Sequence, residues 1–387
     1  MEQAKRAYLD YNASAPLSDA AREAFACVLG LAGNPSSVHR EGRALRAVID
    51  EARRHVAALA GAAPGQVVFT SGATEAAAFA LSPQMRMGRG SLAASRLFVG
   101  VTEHACVLAG GRFGADARQA LPVGENGLLD LSALETALGA HDRATGLAMV
   151  AVQAANNETG VIQPVAEIGR IAKAHGALFV CDAVQAAGRI PIDIAAWKAD
   201  FVILSGHKVG GPAGIGALVA GSELLMPFPL VTGGGQEAGH RGGTENVAAI
   251  AGFGAAAAQA ASLSDVERLG ALRDRFEAAI LQGVPDAIIV GAGAPRLANT
   301  SAVLIPGLKA ETAVIGLDLA GFAVSAGSAC SSGKVGRSHV LAAMGLDAEA
   351  GAIRVSLGAS NTAGQVDALA NELTRIASRR RIAAAAA

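Results

Sequence analysis

The stretch Phe201-Val-Ile-Leu-Ser205-Gly206-His207-Lys208 joins an apolar run to a polar, glycine-punctuated turn that ends in lysine. Consecutive apolar residues of this kind fit a strand covered on both faces, as the strands of parallel sheets are. Twenty-six residues before the lysine, a second run, Ala177-Leu-Phe-Val, leads into Cys181-Asp182-Ala-Val-Gln185. Similar runs lie at 67–70, 97–101, 147–152 and 216–219, with helical patterns such as 165–175 between them. The alternation predicts an α/β fold with a largely parallel sheet.

With 387 residues the chain is long enough for about two domains of roughly 150 residues each. Residues 44–60 place Leu45, Val48, Ile49, Ala52, Val56 and Leu59 on one helical stripe, and Gly61 ends it. After about residue 262 the pattern changes. A charged helix at 265–281 precedes a strand at 299–305, short strands at 323–325 and at Arg354, and a final helix, which reads as a smaller α+β unit. The expected division is 1–15 as a segment joining the small domain, 16–262 as the large domain and 263–387 as the small one, carrying the loop around Cys330. A net charge of −1 argues against a nucleic-acid partner held by charge. Cys27, Cys106, Cys181 and Cys330 show no CxxC spacing, so neither a metal site nor a disulfide framework is expected, and a reducing cytoplasm fits. The N-terminus lacks the apolar core of a signal peptide. Residues 247–263, mostly Ala and Gly, read as a buried helix too weakly apolar to span a membrane.

Five polar motifs each follow a predicted strand directly: Ser71-Gly-Ala-Thr-Glu75, Glu103-His104, Asn156-Asn-Glu158, Asp182 with Gln185, and Ser205-Gly-His-Lys208. Ligands of open α/β sheets bind outside the carboxyl ends of the strands, so the five should converge on one crevice. An acid at one strand end and a lysine at the next suit pyridoxal phosphate (PLP). The amine condenses with the aldehyde, and the carboxylate keeps the ring nitrogen protonated so that the ring draws electrons. Ser71 to Thr74 could open a helix whose free N–H groups face a phosphate, or could be an ordinary cap. Ser205 and His207 flank the same turn as donors suited to phosphate. His104 is either a buried structural histidine or a flat ring stacked on the cofactor. Asn157 either shapes a turn or bonds the cofactor oxygen or the substrate. Cys181 should point into the core, away from Asp182.

Ser325-Ala-Gly-Ser-Ala-Cys330-Ser-Ser-Gly333 is small and polar, with a thiol that its neighbours cannot bury. It suits a nucleophile that visits a pocket; the alternative is an accidental surface cysteine. Arg354 is either a clamp for a substrate carboxylate or half of a structural ion pair. Residues 233–246 are too glycine-rich to be regular and read as a loop whose backbone approaches something closely. Asn34-Pro-Ser-Ser37 is a turn.

Taken together, these residues resemble cysteine desulfurases of the NifS/IscS type, in the class V aminotransferase group of fold-type I PLP-dependent enzymes. The likeness runs from Tyr8-Leu-Asp10 to the Arg354 strand. It rests on Asn34 to Arg43, Thr70 to Glu75, Glu103-His104, Asn156 to Glu158, Asp182 to Gln185, Ser205 to Lys208, Gly233 to Glu237, Arg241 to Asn246 and Ser328 to Ser332. The resemblance implies a large domain with a mostly parallel seven-stranded sheet and a smaller α+β C-terminal domain. It also implies that Lys208 holds PLP and moves the substrate proton. Ala73, Thr74, Ser205 and His207 would bind the phosphate, and Thr244 would reach the phosphate of the other subunit in a homodimer. Asp182 would pair with the pyridine nitrogen, Gln185 and Asn157 with the ring oxygen, and His104 would stack on the ring. Asn34, Asn157 and Arg354 would hold the carboxylate of L-cysteine. Cys330 would accept sulfur as a persulfide, releasing alanine, and pass it to an iron–sulfur scaffold or a sulfur-carrier protein. Ala76-Ala-Ala78 and Thr232 depart from the family's usual residues, and the alanine-rich C-terminus lacks the polar tail of some relatives. Two other readings share these features. A related PLP lyase or aminotransferase, such as a selenocysteine lyase, would use the same cofactor site, though an aminotransferase has no use for Cys330. A non-catalytic module serving iron–sulfur assembly would not need Lys208, Asp182, His104 and Cys330 all retained.

Overall fold

The computed structural model describes residues 6–327 and 337–385. Its strands are β1 (Ala7–Tyr8), β2 (Val67–Thr70), β3 (Gln84–Met87), β4 (Gly90–Gly100), β5 (Arg118–Leu121), β6 (Leu147–Gln153), β7 (Leu178–Asp182), β8 (Phe201–Ser205), β9 (Gly216–Ala220), β10 (Leu225–Pro227), β11 (Ile288–Ile289), β12 (Thr300–Leu304), β13 (Phe322–Ala323), β14 (Ser325–Ala326) and β15 (Ile353–Ser356). In the large sheet β4 pairs in parallel with β5 and β6, β6 with β7, and β7 with β8. β9 lies antiparallel between β8 and β2, so β2 points the same way as β8. These seven strands make the expected sheet. Two more extend it to nine: β3 lies antiparallel along the first residues of β4, and β10 antiparallel to β3 at the edge.

Both faces of this sheet are covered, which explains the unbroken apolar runs. Successive side chains of a strand point to opposite faces. Val202 and Leu204 of β8 therefore join Phe179, Cys181, Val150 and Val152 in one core, against the helices Arg40–Leu59, Val165–Ala174 and Val247–Ala260. Phe201 and Ile203 join Leu178, Val180, Met149 and Ala151 in another, against the helix Ala73–Ala80. Cys181 is fully buried, as strand alternation predicts, and burial pushes its thiol far above the usual range. The helices Arg40–Leu59 and Val247–Ala260 approach so closely that a Cβ at Gly254 would stand 2.5 Å from Cα of Ala52.

The third main core is built on the antiparallel sheet β11-β12-β15-β14. Helices Val266–Gly283, Ala310–Leu319 and Ala363–Ala385 cover it with Phe276, Ile280, Leu317, Leu369 and Leu373. Ala7 and Leu9 belong to the same core, because β1 pairs in parallel with β13 and Asp10 bridges to Ser356. The chain then crosses to the large sheet, where the N–H groups of Ala15 and Ser18 donate to the carbonyls of His207 and Gly210, both at 2.9 Å.

Candidate active site

The register of the large sheet brings the polar motifs to one edge. Gln153 lies opposite Asp182, Asp182 opposite Ile203, and Thr70 and Ser205 both opposite Gly216. Gly216 has to be glycine: a Cβ there would stand 2.7 Å from the carbonyl carbon of Gly72 and from the Leu204 oxygen. The strand ends enclose a cavity of about 460 Å³. Ala73, Thr74, His104, Asn157, Asp182, Gln185, Ser205, His207 and Lys208 all line it.

Lys208 enters from the short 3₁₀ turn Gly206–Lys208, and its Nζ donates to the carbonyls of Asn12 and Ala13 at 2.7 and 2.8 Å. The carboxyl of Asp182 sits at the end of β7. Burial raises its pKa, opposed by the Val184 N–H at 2.9 Å and by the charges of His104 and Lys208. His207 makes a 3.3 Å contact from Nδ1 to the Ser14 hydroxyl. Burial first, then the charge of Lys208, lowers its pKa to about 4, so the ring is neutral at pH 7 and keeps one N–H to donate. The helix Ala73–Ala80 begins at Gly72 without a side-chain cap, and its first turn opens on the cavity. Such a start favours an anion.

His104 caps a short helical turn, accepting the Cys106 N–H at its Nδ1 at 3.3 Å; the Cys106 thiol touches the same nitrogen at 3.1 Å. Gln185 donates to the Asn12 carbonyl at 3.0 Å and accepts from the buried Arg189. Arg354 is 1% exposed and does not line the cavity directly. One terminal nitrogen donates to the Asn157 carbonyl at 3.0 Å and the other to Asp10 at 2.8 Å, while its Nε is buried without a partner.

Two expected residues stand elsewhere in the protomer. Asn34 is exposed, and its side chain accepts the Ser36 N–H at 2.9 Å as a turn residue does. Thr244 lines a separate cavity of about 240 Å³ that shares Ser71, Gly214 and Ile215 as its wall with the first. Cys330 lies outside the described residues. The glycine-rich loop is tied to β2 by Glu237, which bonds Arg53 at 2.7 and 2.8 Å and accepts the Phe69 N–H at 2.8 Å. Sequence reasoning missed Asn12, Ala13 and Ser14, whose contacts with Lys208 and His207 are mostly through main-chain carbonyls that no residue type announces. It also missed Cys106, which only the adjacent Glu103-His104 motif could have flagged. Among the described residues no cluster of metal-ligating side chains is present, and no helix is long and apolar enough to cross a membrane.

The family model for aminotransferase class V matches residues 7–369. The chain belongs to that family. It is 41% identical to a cysteine desulfurase of Cereibacter sphaeroides, over 96% of each chain. It is 38% identical to an IscS-like cysteine desulfurase of Mycobacterium tuberculosis, over 98% of each. Among solved structures it superposes on a NifS-like protein from Rickettsia africae with a TM-score of 0.86 at 34% identity, covering 96% of this chain and 99% of that one. For this class V member the fold is thus that of NifS-like proteins.

Proposed function

We propose that the chain is a PLP-dependent cysteine desulfurase, working as a homodimer in the cytoplasm and delivering sulfur to an iron–sulfur scaffold or a sulfur-carrier protein. The observation that carries this reading is the meeting of the Lys208 amine, the buried Asp182 carboxyl and an uncapped helix start on one cavity. That donor set fits PLP: Ala73, Thr74, Ser205 and His207 for the phosphate, Asp182 for the ring nitrogen, Gln185 and Asn157 for the ring oxygen, His104 for the ring face and Lys208 for the aldehyde. Bound PLP would supply an electron-withdrawing ring to the substrate's Cα. Lys208 would move the Cα proton. Arg354, bonded to the Asn157 carbonyl at 3.0 Å, would orient the substrate carboxylate together with Asn157. Cys330 would take the sulfur: the substrate C–S bond breaks, an S–S bond forms on Cys330, and L-cysteine leaves as L-alanine. The position of Thr244 behind the shared cavity wall supports its reaching the cofactor of a second subunit. The separate core built around β11, β12, β14 and β15 supports a division at residues 15 and 262.

The test is to incubate purified protein with L-cysteine and read Cys330 by mass spectrometry. A gain of one sulfur atom on Cys330, with alanine as product, is expected. The Lys208→Ala variant should lose the absorbance of the condensed cofactor, and Cys330→Ala should keep it while releasing almost no sulfide. Keto acid in place of alanine, or undiminished sulfide from Cys330→Ala, would overturn the reading.

A further inference from the structure

Both chain ends that flank residues 328–336 meet one side chain, Glu158. On the entering side, a Cβ at Gly327 would stand 2.7 Å from Oε2 of Glu158, so the backbone passes directly over the carboxylate. On the leaving side, the Ser338 hydroxyl donates to that same Oε2 at 2.7 Å. Each end also has its own backbone seat: the Gly327 N–H donates to the Ala352 carbonyl at 3.0 Å, and the Ser338 N–H to the Ala348 carbonyl at 3.3 Å. His339, next in the chain, bonds the Glu103 carbonyl at 3.0 Å, one residue before His104. Glu158 is 5% exposed and follows Asn157 of the cavity wall; its N–H is held by the Asn156 side chain at 2.8 Å. A buried carboxylate costs more than an apolar side chain of equal volume, so packing alone does not account for an acid here.

We propose that Glu158 is a positioning residue for sulfur transfer: on the strand-end loop that carries Asn157, it bonds the returning end of the Cys330 segment through Ser338 and packs against the entering end at Gly327. The inference rests on the desulfurase reading and deepens it. Glu158 touches no reacting atom; it sets where the thiol-bearing segment leaves and rejoins the fold.

The test compares holoenzymes of the wild type, Glu158→Ala, Glu158→Gln and Ser338→Ala. Three quantities are read. The cofactor absorbance change on titration with L-cysteine reports binding. Single-turnover mass spectrometry reports sulfur gained by Cys330. Peptide mapping after iodoacetamide reports the alkylation rate of Cys330. Loss of a hydrogen bond to a charged group should slow sulfur gain in Glu158→Ala by about tenfold. L-cysteine binding should stay within about twofold, and Cys330 alkylation should change. Glu158→Gln keeps an acceptor oxygen for Ser338 and should recover most of the rate. Sulfur gain at the wild-type rate in Glu158→Ala, or a matching loss of L-cysteine binding, overturns the proposal. If Glu158→Ala does not fold, Ser338→Ala decides by the same comparison. If wild-type Cys330 gains no sulfur, the desulfurase reading falls, and alkylation alone then judges the fastening: an unchanged rate in Glu158→Ala overturns it.

Discussion

Glu237→Ala should be among the most damaging single changes outside the cavity. The Glu237 side chain is 2% exposed and its partner Arg53 13% exposed. The carboxylate accepts two guanidinium N–H groups and the Phe69 N–H, all within 2.8 Å. Removing it leaves a largely buried guanidinium with the Val67 carbonyl at 2.6 Å and the Phe69 ring face 4.9 Å away, but no paired carboxylate. Breaking a buried pair on one side costs about 3–5 kcal/mol. At about 2 °C per kcal/mol, Tm should fall by about 6–10 °C. Glu237 sits at φ 48°, in the left-handed region, and alanine keeps that strain, so the difference reads the side chain and not the backbone. The double variant Arg53→Met with Glu237→Leu removes the stranded charge but leaves the Phe69 N–H unpaired, a residual cost of about 1–3 kcal/mol. It should therefore be more stable than Glu237→Ala by about 2 kcal/mol. Urea unfolding of the wild type, Arg53→Met, Glu237→Leu and the double closes the cycle, with Glu237→Ala measured beside them. A Glu237→Ala variant within about 1 kcal/mol of the wild type, or a double variant no better than it, would refute the account.

The pKa of His207, about 4 in the fold against 6.5 in the open chain, means that the unfolded chain takes up its proton first as pH falls. Its contribution is complete above pH 6.5 and is lost progressively toward pH 4, so His207→Asn should flatten the acid limb of stability in cofactor-free protein; an unchanged limb would count against it. Gly254→Ala inserts a methyl 2.5 Å from Ala52 and must push the two helices apart, at about 1–3 kcal/mol, visible as a lower urea midpoint. An unaltered midpoint would mean that the helices separate freely.

The central strands were legible because burial on both faces writes itself as unbroken apolar runs. The structure places them at Leu147–Gln153, Leu178–Asp182 and Phe201–Ser205, within a residue of the expected bounds. The edge was not legible. Gln84–Met87 alternates polar and apolar over only four residues, and the first half of Gly90–Gly100 is mostly small and partly exposed, so no long apolar run marks them. The helix Arg40–Leu59 starts four residues before the apolar stripe, at a His39 cap whose ring accepts the Gly42 N–H. In the cavity, residues that follow strands directly were readable from their position. Residues that act through main-chain carbonyls, such as Asn12 and Ala13, were hidden, because a carbonyl is common to every residue. Of the two readings held open for Arg354, the structure shows the ion pair, with Asp10 at 2.8 Å.

The carbonyls that receive Lys208 belong to the opening residues of the chain, and those residues are seated by Phe322–Ala323 and Ser356. During synthesis the lysine is therefore made long before the stretch that fixes its neighbours. The large sheet holds the same segment from the other side, through Ala15 on His207, Ser18 on Gly210 and Gln185 on the Asn12 carbonyl, so the lysine's acceptors are gripped by residues from both sheets. A nascent chain halted before residue 356 would lack the Ser356 partner of Asp10 and Asn12.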